Sequence, residues 1–247
     1  PNWDALFLTF GFIPQPYTTL KNVLSLSKGS YLIIDTRTGK LEKKKYKQFF
    51  FENLINKEKD AIELVRSIVK ESISRNMISD APLGIFLSGG IDSSLIALLA
   101  DSMGHKDLTT LSVTFKERLF DESSYQKIII DKMRPHKHIN QNVDATDFIE
   151  NIDDIFKAMD QPSCDSVNSY FVSKAAHENN LKTVLSGVGA DELFGGYPSF
   201  NRVKTLKTIS KIPNFLLQLM EYFPNEKMSR FAYLGSNSKY SEYLFLR

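Results

Sequence analysis

Between about residue 57 and residue 185 the chain alternates short apolar runs with amphipathic stretches, and this alternation limits the fold more than any other feature. From Lys57 onward Ala61, Leu64, Val65, Ile68, Val69 and Ile73 recur at three-and-four spacing with charged residues between them, which predicts an amphipathic helix. Beyond it, residues 83–87, 109–115, 137–143 and 183–185 read as strands. Residues 92 to about 103, 122–133, 146–159 and 167–179 read as helices. Strand-helix alternation of this kind predicts an α/β fold, a doubly wound parallel sheet with helices on both faces, in which ligands bind at the carboxyl ends of the strands. After Tyr197 the chain reads as helical pieces broken by Pro213 and Pro224.

Residues 1–50 read differently, as a short β-rich segment. Leu6 to Phe10 is a first apolar run. Gly11, Pro14 and Pro16 punctuate the chain after it, Gly29 to Asp35 is a second run, and a turn follows around Thr38 and Gly39. Lys43 to Lys45 reads as the solvated surface of a strand or turn, and Phe49 to Phe51 as packing at a domain junction. The change of period places a boundary near 51–57, with expected domains of 1–52 and 53–247.

Composition removes several classes of function. Of 247 residues 42% are hydrophobic, enough for a sizeable core, and 31 basic against 29 acidic residues leave a net charge of +2. No general electrostatic footprint for nucleic acid or a membrane surface follows from that balance. The single cysteine, Cys164, cannot close an internal disulfide, and no apolar run is long enough to span a bilayer. A cytoplasmic location is the expectation. The opening Pro1-Asn2-Trp3 carries neither an initiator Met nor a leader, as expected of an internal piece of a longer chain.

Two turns at strand ends carry the chemistry. The first is Ser88-Gly89-Gly90-Ile91-Asp92-Ser93-Ser94, where glycines allow close backbone approach, serines offer hydroxyls and the following helix offers free N–H groups. It suits a phosphate or pyrophosphate, yet it lacks the lysine and spacing of G-x-x-x-x-G-K-[ST]. Asp92 would repel phosphate unless Mg²⁺ bridges them; the other reading is a helix cap. The second turn runs from Ser186 through Gly187, Val188, Gly189, Ala190, Asp191, Glu192, Leu193, Phe194, Gly195 and Gly196 to Tyr197. It fails the dinucleotide fingerprint, since Glu192 stands where the third glycine belongs. If the two strands are neighbours, Asp92 and Asp191 could share a metal ion.

The run from Leu87 to Ser94 resembles the pyrophosphate loop of the ATP-pyrophosphatase superfamily, and the second turn resembles a signature of glutamine-dependent asparagine synthetases. Phe120-Asp121-Glu122-Ser123 with Tyr125, Phe10 to Pro14, Thr18-Thr19 and Lys28-Gly29 are similar to the same family, which the chain resembles over about 5–200. The resemblance implies an adenine nucleotide alpha-hydrolase-like sheet and an ATP- and Mg²⁺-dependent ligase that adenylates the side-chain carboxylate of aspartate. Ammonia would come from a glutaminase domain of which only the tail is present, since residue 1 is Pro1 and not the family's N-terminal cysteine. By matching positions, Leu87, Val113, Ser186 and Gly187 line the ATP site, Ser88, Gly89, Gly90, Asp92, Ser93 and Ser94 grip pyrophosphate, and Asp92 and Asp191 hold the metal. A homodimer is compatible with the family.

One position departs from the pattern. Val188 stands where these synthetases commonly carry an acidic residue, and valine can neither take a proton nor stabilise an ammonium. Either Asp160 or Asp165 substitutes, or the acceptor is another carboxylate, such as one on a cell-surface sugar precursor; a nucleotide-binding scaffold without catalysis is the rival class. His136 and His138 read as a strand-surface pair rather than a zinc site, His105 and His177 as packing residues, and Cys164 lacks a neighbouring histidine to activate it.

Overall fold

The computed structural model describes residues 2–46, 55–104, 108–116, 121–134, 136–209, 212–222 and 231–235. Phe49 to Phe51, His105, Phe120 and Pro224 lie outside these residues. By compactness the chain forms two units, Pro1–Ser186 and Gly187–Arg247.

The first unit opens with a helix, α1 (Trp3–Phe10), where the sequence reads as a strand. A short, mostly apolar run shows no period of its own, so local capping decides its state. Here Asp4 favours the helix from its first turn, and Gly11, in the left-handed region at φ 77°, donates its N–H to the Phe7 carbonyl and closes it. The β-rich reading holds for the next stretch: β1 (Ser30–Ile34) and β2 (Leu41–Lys45) pair antiparallel, with Ser30 opposite Lys45 and Ile34 opposite Leu41. Asp35 Oδ1 accepts the N–H groups of Arg37 (2.9 Å) and Thr38 (3.2 Å), which fixes the turn and lowers the Asp35 pKa. Lys43 bonds Ser27 and Lys44 pairs with Glu42, so the lysine run is an ordinary strand surface.

The amphipathic stretch is α2 (Glu58–Asn76), and the alternation after it forms β3 (Leu83–Phe86), α3 (Ile91–Ser102), β4 (Thr109–Phe115), α4 (Ser123–Ile130), β5 (Lys137–Val143), α5 (Ala145–Ala158), α6 (Ser166–Glu178) and β6 (Thr183–Leu185). The four strands make one parallel sheet in the order β5-β4-β3-β6. Ile85 sits between Thr110 and Leu185, and Thr110 sits beside His138. Helices cover both faces. Ile85 and Leu87 pack against Val69 and Ile73 of α2, Ala97 and Ala100 of α3, and Ile129 and Ile130 of α4. On the other face Phe86, Leu111 and Val184 meet Ala175 and Ala176 of α6, while Val113, Phe115 and Val143 meet Ile155 of α5 and Phe171 of α6.

The order of the strands positions the site. From β3 the chain steps outward to β4 and β5, then returns to lay β6 on the opposite side of β3, so the direction of winding reverses between β3 and β6. Ligands of open α/β sheets lodge at such a reversal, outside the carboxyl ends of the strands. Ser88 follows β3 and Ser186 follows β6 at that edge.

The second unit begins with α7 (Ala190–Phe194), followed by α8 (Pro198–Ile209), α9 (Asn214–Gln218), a 3-10 turn at Leu219–Tyr222 and α10 (Phe231–Leu234). Ile209 and Leu217 form its small core with Leu206, Phe231 and Leu234. Among the described residues no helix is long and apolar enough to cross a membrane.

Candidate nucleotide site

The turn after β3 is tied together by its own serines. Ser93 donates its hydroxyl to the Gly90 carbonyl at 3.2 Å and accepts the Ser88 N–H at 3.2 Å; its oxygen also stands 2.9 Å from Ser88 Oγ. Ser88 Oγ in turn accepts the Gly90 N–H at 3.2 Å. Ser93 and Ser94 are buried, while Ser88 and Gly90 face solvent. Gly89, at φ 91°, is the residue this turn cannot exchange. A Cβ there would also lie 3.0 Å from Tyr125 Cβ, 3.2 Å from the Gln126 nitrogen and 3.3 Å from the Glu122 carbonyl.

Gly90 stands at the N-cap of α3, and no side chain caps the helix. The Ser94 N–H makes the first intrahelical bond, to Gly90, so the N–H groups of Ile91, Asp92 and Ser93 precede the ladder and point out of the helix end. That end carries partial positive charge. Asp92 stands in the first turn, half-buried, and its carboxylate neither caps the helix nor joins an ion pair or hydrogen bond among the described residues. Asp92 therefore does not act as the cap that was its alternative reading.

No cluster of three or more metal-binding side chains exists among the described residues. An ion here would take one or two carboxylates and complete its shell with phosphate oxygens and water, the mode of Mg²⁺ at nucleotides. Asp92, unengaged beside a turn with free N–H groups, fits that mode.

The remaining candidates fall in different places. Leu87 lends the site no side chain: it is 1% exposed in the core, its N–H donates to the Leu111 carbonyl and its own carbonyl accepts Ser112 Oγ at 2.6 Å. Val113 packs on the opposite face with Val143 and Phe171. Ser186 is exposed at the end of β6. Met159 and Val167, which bracket the loop holding Asp160 and Asp165, pack with Val113, Phe115 and Val143 at the ends of β4 and β5, so that loop stands at the carboxyl edge. Both aspartates are exposed, and Asp165, at the start of α6, does not cap it.

In the second unit, Val188 is 91% exposed. Asp191 lies half-buried, its carboxylate folded over Gly196, where any Cβ would collide with it. Glu192 accepts the Tyr197 hydroxyl at 2.9 Å, and Tyr197 stacks on Phe200.

Two residues escape a reading of the sequence. Gln126, 3% exposed on α4, donates to the Ser88 carbonyl at 3.3 Å and supports the turn from behind. Ser112 does so through Leu87. Their signal is polarity in buried positions: Thr110, Ser112 and Thr114 make every second residue of β4 a hydroxyl, on a strand buried along most of its length. The histidine pair is also more than strand surface, because His136 Nε2 and His138 Nδ1 each lie 2.9 Å from the fully buried Thr110 Oγ1.

A glycine-serine turn without a P-loop lysine, set at the reversal of a doubly wound parallel sheet, defines the PP-loop ATP-pyrophosphatase class of fold. Within that class, the family model for asparagine synthase matches residues 64–243. The chain belongs to this family. It is 33% identical over 236 residues to a Methanocaldococcus jannaschii protein provisionally named asparagine synthetase (glutamine-hydrolyzing) 2, a match covering 92% of this chain and 44% of that protein. It is 32% identical over 216 residues to asparagine synthetase (glutamine-hydrolyzing) 1 of Bacillus subtilis, covering 87% of this chain and 34% of the relative. The chain thus spans less than half the length of these relatives.

Proposed function

We propose that the chain is the nucleotide-binding part of an ATP-dependent, amide-forming ligase of the asparagine synthetase type. The observation that carries this reading is the uncapped α3 N-terminus behind the Ser88–Gly90 turn, at the winding reversal of the sheet, in a chain of the asparagine synthase family. Residues 1–52 are then the tail of a glutaminase domain and 53–247 the first part of the synthetase domain. A two-stranded ribbon such as β1–β2, with Leu32, Ile33, Ile34 and Leu41 exposed, is marginal alone and suits the edge of a larger sheet.

In this reading a carboxylate oxygen of the acceptor attacks the α-phosphorus of ATP and pyrophosphate leaves. Ammonia then attacks the acyl carbon, AMP leaves, and the new nitrogen gives up a proton. The N–H groups at the start of α3 and the Ser88 hydroxyl hold the departing pyrophosphate, which stabilises charge as it develops. Asp92 would hold Mg²⁺, which neutralises phosphate charge when bound. Asp160 and Asp165 supply carboxylates at the same edge of the sheet for the proton or the ammonium.

Aspartate is the acceptor the relatives' names point to. Val188 favours a second reading, a different carboxylate acceptor, because an exposed valine supplies no charge where the family commonly carries an acid. Exchange of labelled pyrophosphate into ATP by the full-length protein tests both. Exchange dependent on aspartate supports the first reading, exchange with other carboxylates alone the second, and none with any carboxylate would leave a nucleotide-binding scaffold.

A further inference from the structure

We propose that Gly11 is a positioning residue for the acceptor side of the site, acting through a junction between residues 11–13 and the loop 159–165. The proposal rests on the ligase reading above. Phe12 forms an isolated antiparallel bridge with Ser163, and the Cys164 N–H donates to the Gly11 carbonyl at 2.9 Å. Ile13, next along, is buried at 7% exposure. Gly11 therefore does two things at once: its N–H closes α1 at 2.7 Å on the Phe7 carbonyl, and its carbonyl fastens the loop.

The fit leaves no room for a side chain. Gly11 has φ 77°, and a Cβ on it would lie 3.2 Å from Cys164 Sγ, closer than most such contacts. Cys164 lies next to Asp165 in the loop that also carries Asp160, and among the described residues neither carboxylate has a hydrogen bond or ion pair that would hold it from the α/β side. Within the loop the Asp165 N–H reaches Ser163 Oγ at 3.3 Å, so the bond to Gly11 holds the same short turn. The segment in front of the sheet thus sets where the loop's carboxylates stand. Reacting groups displaced by about 1 Å can lose roughly a hundredfold in rate, so so small a junction is enough to matter.

Gly11→Ala in the full-length protein tests this. The acceptor KM should rise about tenfold while the ATP KM stays within about twofold, because the Ser88 turn is built independently of the junction. Adding Cys164→Ala removes the sulfur that the new methyl meets and should recover part of the acceptor KM, the strain at φ 77° remaining. Amide hydrogen exchange at Cys164 should accelerate in Gly11→Ala, with that at Leu87 unchanged. Acceptor and ATP KM rising together, or an unchanged acceptor KM with faster exchange at Cys164, would overturn the positioning role alone. Absence of pyrophosphate exchange with any carboxylate in the unaltered protein would overturn the ligase reading, and the positioning role with it.

Discussion

Helices α3 and α5 both start at the carboxyl end of a strand, and they treat that position in opposite ways. Asp144 caps α5, accepting the N–H groups of Thr146 (2.8 Å) and Asp147 (3.1 Å), while Asp147 reaches back to the Asp144 N–H at 2.8 Å. Lys116 pairs with Asp144 as well. The end of α5 is closed by its own sequence. Helix α3 has an acid of the same kind one residue inside its start, yet Asp92 caps nothing and the N–H groups remain free. A protein that can close a helix end with an aspartate, and does so at α5, leaves the α3 end open where the winding of the sheet reverses. The difference separates an aspartate used for folding from one available to a ligand.

The largest effect should follow from closing the open end from behind. Gly89→Ala sets a side chain at φ 91° and pushes a methyl against the backbone of α4, at strain of about 1–3 kcal/mol. Nucleotide affinity should fall at least tenfold, since about 1.4 kcal/mol of lost binding is a factor of ten. Titration calorimetry with Mg·ATP measures it, and undiminished binding would mean that nucleotide does not use this turn.

Exchanging the two aspartates sharpens the contrast. Asp144→Ala should lower the thermal midpoint by a few degrees and leave nucleotide affinity alone; Asp92→Asn should lower nucleotide affinity and leave the midpoint alone. Acid gives the same separation. Hydrogen bonding from Lys116, then from the Asp147 backbone, holds the Asp144 carboxyl at about 2, below its ordinary 3.8. A depressed acid contributes stability that is present above its unfolded value and is lost as pH falls from 3.8 toward 2. Unfolding curves below pH 4 should therefore be steeper in pH for the unaltered protein than for Asp144→Ala. Equal slopes, or an Asp92→Asn variant that unfolds with its nucleotide affinity intact, would turn the comparison around.

How far these sites could be read in advance depends on the range of the interactions that make them. Strands β4, β5 and β6 lie where the sequence predicts them, and α3, α5 and α6 begin within a residue of expectation, because hydrophobic period and turn residues are local signals. The turn after β3 was legible for the same reason, since its glycines and serines follow an apolar strand directly. Helix α1 was not, since Leu6 to Phe10 is too short and too apolar to show a period and Gly11 decides its state. Gln126 behind Ser88 and Cys164 on Gly11 come together only in the folded unit, and no spacing in the chain announces them.

The smallest expected effect concerns the far end of the sheet, where polar groups are closed as thoroughly as at α5. His136 Nδ1 lies 2.9 Å from the Arg134 carbonyl, which can only accept, so that nitrogen carries the proton. In the neutral ring His136 Nε2 is then an acceptor, Thr110 donates to it, and His138 must donate from Nδ1 to Thr110. A single buried hydroxyl thus fixes both tautomers in one direction. Burial, and then the nearness of His136, holds the His138 pKa below its ordinary 6.5. A base depressed in the folded state takes up its proton first in the unfolded chain, so stability falls as pH drops below 6.5 toward the folded value. His138→Gln removes that titration and should flatten the stability profile between neutral pH and about pH 5, above the range in which Asp144 acts. Urea unfolding at pH 7.5, 6 and 5 measures the slope, and identical slopes in the two proteins would show that His138 is as easily protonated in the folded chain as in the unfolded one.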